Sequence, residues 1–242
     1  MKTIDSPSPN FDARRSPPDM IILHYTGMQS AQAALDRLTD PEAKVSAHYM
    51  VAEDGEVFAL VPEARRAWHA GASFWHGVRD INAASIGIEI VNPGHELGYR
   101  LFPDDQIAAV ISLLTDVRSR WTVPDNRILG HSDVAPARKI DPGELFPWRR
   151  LAAEGHGLWV EPSAAPGAEL AEGDEGLGVM ALQGALARLG YESPVTGRFE
   201  AGTTTILRAF QRHWVQRRCD GIADGDTRAR LMALLRLAGP TQ

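Results

Sequence analysis

Apolar and polar positions follow two regimes along this chain. Up to about residue 160, short apolar runs alternate with longer periodic stretches. Beyond it, helical spacing recurs. Met20-Ile21-Ile22-Leu23 is an apolar run ending at His24-Tyr25, which predicts a buried strand. Tyr49 to Ala52 and Glu56 to Leu60 flank Asp54-Gly55, a hairpin signal. In Ile86-Gly87-Ile88-Glu89-Ile90-Val91 the isoleucines alternate on one face, so Gly87 and Glu89 point to the other. Ala31 to Leu38 follows Ser30, a suitable cap, and predicts a helix. Ile107, Val110, Ile111, Leu114 and Val117 predict a long amphipathic helix after Pro103-Asp104. Arg127 to Gly130 predicts a short strand running into His131. This order of elements predicts an α/β domain, a central mixed β-sheet flanked by helices.

A Pro/Ala/Gly-rich stretch around residues 161–175 has no apolar periodicity and reads as a linker. It divides the chain into a first domain of residues 1–160 and a tail of residues 176–242. The tail carries three helical patterns, Leu177 to Leu189, Thr203 to Val215 and Thr227 to Leu237, a small three-helix domain. Its two connecting segments are alike. Thr196-Gly197-Arg198-Phe199 and Asp220-Gly221-Ile222-Ala223 each pass from a Gly turn to an apolar residue and then a polar cap. This is a weak internal duplication. Phe210 and Trp214, four apart, are read as core.

Composition narrows the function classes. The chain has 242 residues, 44% hydrophobic and 23% charged, which is ordinary for a globular protein. The net charge of −6 argues against nucleic-acid binding through bulk charge. It divides unevenly, with sixteen basic against twenty-one acidic residues up to position 160 and nine against ten beyond it. No apolar run approaches the ~20 residues of a membrane span. The single cysteine, Cys219, excludes an intrachain disulfide and a Cys-rich zinc finger. Residues 1–10 carry prolines and an aspartate where a secretory signal needs an apolar stretch, so a cytoplasmic address is expected.

Seven of the eight histidines precede residue 160, and only His213 lies in the tail. His24 ends an apolar strand, where a polar side chain is unexpected unless it is needed. His131 opens a polar, turn-rich stretch reaching Gly143, in which Lys139 and Asp141 are two apart and face the same way in extended chain. Two imidazoles and one carboxylate form a known catalytic zinc set with a fourth position for water. Glu89, on the face opposite the isoleucines, is placed to act as a base. Spacing alone does not decide this, since His24 and His131 are over a hundred residues apart.

Five ordered stretches do decide it. They are Ile22-Leu23-His24-Tyr25-Thr26, Val45-Ser46-Ala47-His48-Tyr49, Ala67-Trp68-His69-Ala70-Gly71, Ile86 to Pro93, and Gly130 to Gly143. Together they resemble the zinc-dependent N-acetylmuramoyl-L-alanine amidases of the AmpD and AmiD type, whose fold also occurs in peptidoglycan-recognition proteins. The tail resembles the peptidoglycan-binding domain often appended to such enzymes. The resemblance implies that His24, His131 and Asp141 hold one Zn²⁺. It implies that Glu89 is the general base and that Lys139 stabilises the oxyanion. It also implies a muropeptide or peptidoglycan substrate, cut between N-acetylmuramic acid and L-alanine, and no organic cofactor. With only one cysteine, such a zinc must be held by His and Asp.

Tyr25, Trp68, His69 and Asn92 are candidates for substrate contact. His69 is equally readable as orienting a ligand or as packed beside Trp68, and Asn92 as a turn residue. His48 is read as structural, and His76, His95 and His156 as solvated. Cys219 is read as inert. Three functions remain open: recycling of 1,6-anhydro-muropeptides, remodelling of intact wall in the envelope, and recognition without cleavage.

Overall fold

The computed structural model describes residues 1–238. The chain runs through β1 (Ile4–Asp5), β2 (Phe11–Ala13), β3 (Met20–Tyr25), α1 (Ala31–Thr39), β4 (Tyr49–Val51), β5 (Val57–Ala59), β6 (Arg65–Ala67), α2 (Ile81–Ala84) and β7 (Ser85–Ile90). It continues through α3 (Gly94–Leu97), α4 (Asp104–Arg120), β8 (Ile128–Gly130), α5 (His131–Val134) and α6 (Trp148–Ala153). Three longer helices close it, α7 (Leu177–Leu189), α8 (Ala201–Trp214) and α9 (Gly225–Leu237).

Six strands form one mixed sheet in the order β1-β5-β4-β7-β3-β8, while β2 and β6 pair separately. β3 lies between two parallel neighbours, β7 and β8. The antiparallel junction is β4–β5, where Asp54-Gly55 turns the chain back. A strand covered on both faces has no place for polar side chains, and Met20 to Leu23 are fully buried. Alternate residues of β3 serve different cores. Ile21 and Leu23 join Ile86, Ile88 and Ile90 of β7 beneath α4. Met20 and Ile22 pack with the C-terminal helices. α4 buries Ile107, Val110, Leu113, Leu114 and Val117. The stripe therefore centres on Leu113 and Leu114, and Ile111 is only half-buried. Asp104 and Asp105 in its first turn and Arg118 and Arg120 in its last complement the helix dipole.

The C-terminal helices share a core with the sheet. Trp75 and Leu129 of the first part and Leu186, Phe210 and Leu234 of the second belong to one apolar cluster. Phe210 and Trp214 are core residues, as their spacing predicts. Gly190, at φ +134, leaves room for Trp75, because a Cβ there would lie 2.4 Å from the indole. The 161–175 segment lies along the helices, with Ala165 donating to the Gly225 carbonyl and Leu170 bridging Ala223.

The internal duplication is a repeated side-chain clamp. Gln183 Nε2 donates to the Arg198 carbonyl at 2.9 Å, and its Oε1 accepts from Gly197 at 2.9 Å. Gln211 Nε2 donates to the Ile222 carbonyl at 2.9 Å, and its Oε1 accepts from Gly221 at 2.8 Å. Each amide also reaches the threonine in the first turn of the next helix, Thr203 or Thr227. Gln183→Ala and Gln211→Ala each leave buried peptide groups unpaired. Each is expected to cost about 1–3 kcal/mol, read as a lower unfolding midpoint by calorimetry. A neutral result in both would remove the clamp as a source of stability.

Candidate active site

Sheet geometry brings the first two groups together. His24 and Glu89 are register partners on the adjacent parallel strands β3 and β7, so their side chains share a face. Isoleucines fill the other face of β7. His131 begins α5 directly after β8, on the far side of β3. Asp141 returns from the following loop, where its carbonyl accepts from Ser132 N at 2.9 Å. The site thus lies at the carboxyl ends of the parallel strands, the usual place for ligands in such sheets.

His24 Nδ1, His131 Nδ1 and Asp141 Oδ2 form a nearly equilateral triangle with edges of 2.9, 3.1 and 3.1 Å. All three side chains are buried. The outer nitrogens decide what that triangle can hold. Ser85 Oγ donates to the Ile81 carbonyl, so it accepts from His69 Nε2 at 3.2 Å. His69 Nδ1 is then a lone pair and accepts from His24 Nε2 at 3.0 Å. This leaves His24 Nδ1 as a lone pair. His131 Nε2 donates to the Ala70 carbonyl at 3.0 Å, leaving its Nδ1 likewise free in the neutral ring. Burial first, and His131 next, push His24 down to about 4. Burial, and then His24, hold His69 well below the usual histidine range. Two nitrogen lone pairs and a carboxylate oxygen facing one another call for a cation. Tetrahedral zinc with ~2.0 Å bonds needs ligands roughly 3.3 Å apart, so the donor set and its spacing fit a metal ion.

The conditions for that relay are built into β7. Gly87 has no side chain because the His69 ring fills the space, and a Cβ there would lie 2.4 Å from it. His69 therefore backs His24, and it also lines the cleft described below. His48 is structural, as expected. Its Nδ1 accepts from Gly87 N at 2.9 Å, and its Nε2 donates to the Arg65 carbonyl at 3.0 Å.

Glu89 Oε2 is buried without a hydrogen-bond partner. Burial, and then the Asp141 charge, push its carboxyl well above the usual range. Burial alone would also raise Asp141, but His131 and His24 outweigh it and hold that carboxylate low. Glu89 and Lys139 line a cleft of about 430 Å³ with all three members of the triangle. Tyr25 and Trp68 line it too, whereas Asn92 does not. Asn92 is buried, donates to the Arg100 carbonyl and accepts from Gly94, so it shapes the turn after β7.

One further expectation needs correction. His156 is not solvated: it is buried between Thr115 and Arg118, because α4 packs over it. His95 is exposed but engaged. It stacks on Tyr99 and accepts from the Tyr25 hydroxyl at 3.1 Å, while its Nε2 faces Glu144. Burial pushes Tyr25 up to about 12, so that hydroxyl keeps its proton. His95, Glu96, Arg37 and Arg138 also line the cleft. Of these, Arg138 alone had a sequence signal, its place beside Lys139. It donates to the Ala70 and Ala72 carbonyls and so holds the loop that receives His131.

With this geometry the chain belongs to the N-acetylmuramoyl-L-alanine amidase family, whose model matches residues 14–144. A putative peptidoglycan binding domain model matches residues 175–231. The N-acetylmuramoyl-L-alanine amidase AmiD of Escherichia coli K12 is 34% identical, over 91% of this chain and 83% of its own. The 1,6-anhydro-N-acetylmuramyl-L-alanine amidase AmpD of Citrobacter freundii is 34% identical over 61% of this chain and 87% of its own. The structure of E. coli AmiD with anhydro-N-acetylmuramic acid-L-Ala-D-γ-Glu-L-Lys superposes with a TM-score of 0.81. It covers 95% of this chain and 93% of that one, at 33% identity. No helix among the described residues is long and apolar enough to cross a membrane.

The burial of His48 predicts a pH effect on stability. Burial pushes its folded-state value down to about 3 from 6.5. The unfolded chain therefore binds the extra proton between those values, and stability falls as pH drops through that window. Unfolding midpoints measured from pH 7 to pH 4 should decline, and His48→Gln should flatten part of the slope. An unchanged slope in that variant would exclude His48 as a contributor.

Proposed function

We propose that this protein is a zinc-dependent hydrolase with one Zn²⁺ per chain, held by His24, His131 and Asp141. Its proposed substrate is the amide between the lactyl group of 1,6-anhydro-N-acetylmuramic acid and L-alanine of the stem peptide. The observation that carries this reading is the buried triangle of His24 Nδ1, His131 Nδ1 and Asp141 Oδ2, beside an unpartnered Glu89 Oε2. A zinc ion held there would supply a water of pKa lowered towards ~7 and would polarise the carbonyl.

Glu89 takes the proton from the attacking water. Its raised carboxyl suits it to hold that proton and return it to the L-alanine nitrogen as the C–N bond breaks. Lys139 supplies the cation for the oxygen that gains charge, worth about 3 kcal/mol in comparable sites. It has no salt-bridge partner among the described residues, so its charge is available. Tyr25 and Trp68 offer aromatic surface at the cleft for the sugar and peptide. His69 acts through His24.

The substrates named for AmiD and AmpD support the anhydro form and a role in wall recycling. A cytoplasmic address suits that recycling role, and it is the address we propose. A second reading, cleavage of intact wall, is favoured by the match at residues 175–231. Mass spectrometry of products from anhydro-muropeptides and from sacculi, with and without chelator, tests both. Release of peptide from the soluble substrate, abolished by chelator and restored by Zn²⁺, is expected. Turnover of sacculi alone would replace the first reading with the second.

Glu89→Gln is expected to keep zinc stoichiometry while turnover falls 10²- to 10⁴-fold. Metal loss in that variant would make Glu89 a ligand instead. Asp141→Ala is expected to weaken zinc binding, and full occupancy there would remove Asp141 from the set.

A further inference from the structure

Asp133 is a buried carboxylate two residues after His131, and the cleft does not use it. Three donors satisfy it. Its Oδ2 accepts from Gly130 N at 2.8 Å and from His213 Nδ1 at 2.7 Å. Its Oδ1 accepts from the Tyr191 hydroxyl at 2.8 Å. Gly130 immediately precedes the same short helix, but Tyr191, just past α7, and His213, on α8, come from the C-terminal region. The His213 ring is stacked between Trp148 and Trp214, with both centroids at 3.7 Å, so its donor is fixed in place.

A second grip lies nearby. Gln216, just past α8, donates both amide hydrogens to the carbonyls of Glu144 and Phe146, at 2.8 and 2.6 Å. Those carbonyls belong to the loop that leaves Asp141. One end of α8 therefore holds the segment carrying His131 through Asp133, and the segment carrying Asp141 through Gln216. α5 has four residues, too few to be stable on its own helical hydrogen bonds. Its position depends on what Asp133 is tied to.

We propose that Tyr191, His213 and Gln216 are positioning residues of the metal centre. Through them the C-terminal helices hold two of the three ligand-bearing segments in register. This rests on the metal reading of His24, His131 and Asp141, and it adds a role to whatever wall recognition the C-terminal region performs. Losing a donor leaves part of a buried carboxylate unpaired and lets α5 shift. A triangle with edges near 3 Å tolerates little displacement. Supporting contacts around metal ligands typically change affinity 10- to 100-fold.

The test uses the full chain. Zn²⁺ affinity is measured by competition with a chromophoric chelator, and ligand geometry by the visible spectrum of the Co²⁺-substituted protein. Unfolding midpoints of the metal-free protein are recorded in parallel. Tyr191→Phe and Gln216→Ala should each weaken zinc about ten-fold, and together about a hundred-fold, with a changed Co²⁺ spectrum. His213→Asn, which keeps a donor near the Nδ1 position, should retain most of the affinity that His213→Phe loses. Arg198→Ala, on an exposed turn of the same region, should match the wild type. Wild-type zinc affinity and Co²⁺ spectrum in Tyr191→Phe and Gln216→Ala, even with lowered midpoints, would overturn the proposal. If Tyr191→Phe does not fold, Gln216→Ala decides alone. A wild-type chain that binds no zinc would instead overturn the metal reading itself.

Discussion

Two imidazoles are buried in this molecule with their outer nitrogens already engaged, and the rest of the site follows from that. His24 is tied through His69 and Ser85 to the Ile81 carbonyl, and His131 to the Ala70 carbonyl. Each ring is thereby held in one tautomer and one orientation. A freely flipping ring would present N–H to the centre about as readily as a lone pair. In the neutral rings the tie makes the inner edges acceptors, and acceptors facing one another beside a carboxylate suit a cation.

The sheet supplies the addresses. Parity along β3 sends Ile21 and Leu23 under α4 and Met20 and Ile22 towards the C-terminal helices, and His24 continues the latter row. Parity along β7 sends the isoleucines to the α4 side and leaves Gly87 and Glu89 on the face of His24. One glycine admits the His69 ring, and two residues on, the same face presents the candidate base. Structural support and chemistry alternate along a single strand.

The C-terminal helices form the other wall of the core that β3 begins. Their two glutamine clamps make them a rigid duplicated unit, and Trp75 against Gly190 joins that unit to the sheet. A region that the residue pattern separates by a linker is thus continuous in packing with the catalytic half. Asp133 lies at that junction, with one donor from Gly130 at the end of β8 and two from across it.

Periodicity was enough to locate β3, β7, α4 and the three C-terminal helices, because long patterned segments bury a face whatever they meet. His24, His131 and Asp141 are legible as a candidate set from the five ordered stretches that flank them, and the fold brings them together. β1, β2, β6 and α5 were not legible, since two to four residues carry no period and form only where a neighbour receives them. The same limit applied to the site. Neither the fit of the His69 ring over Gly87 nor the engagement of both ends of the Asn92 amide has a local sequence signal. His156 sat in a glycine-rich segment that reads as solvated, yet α4 covers it. Local pattern decides which residues turn inward along an element. Which inward groups then meet, and with what tautomer, depends on contacts between residues tens to more than a hundred positions apart, and only the folded chain supplies those.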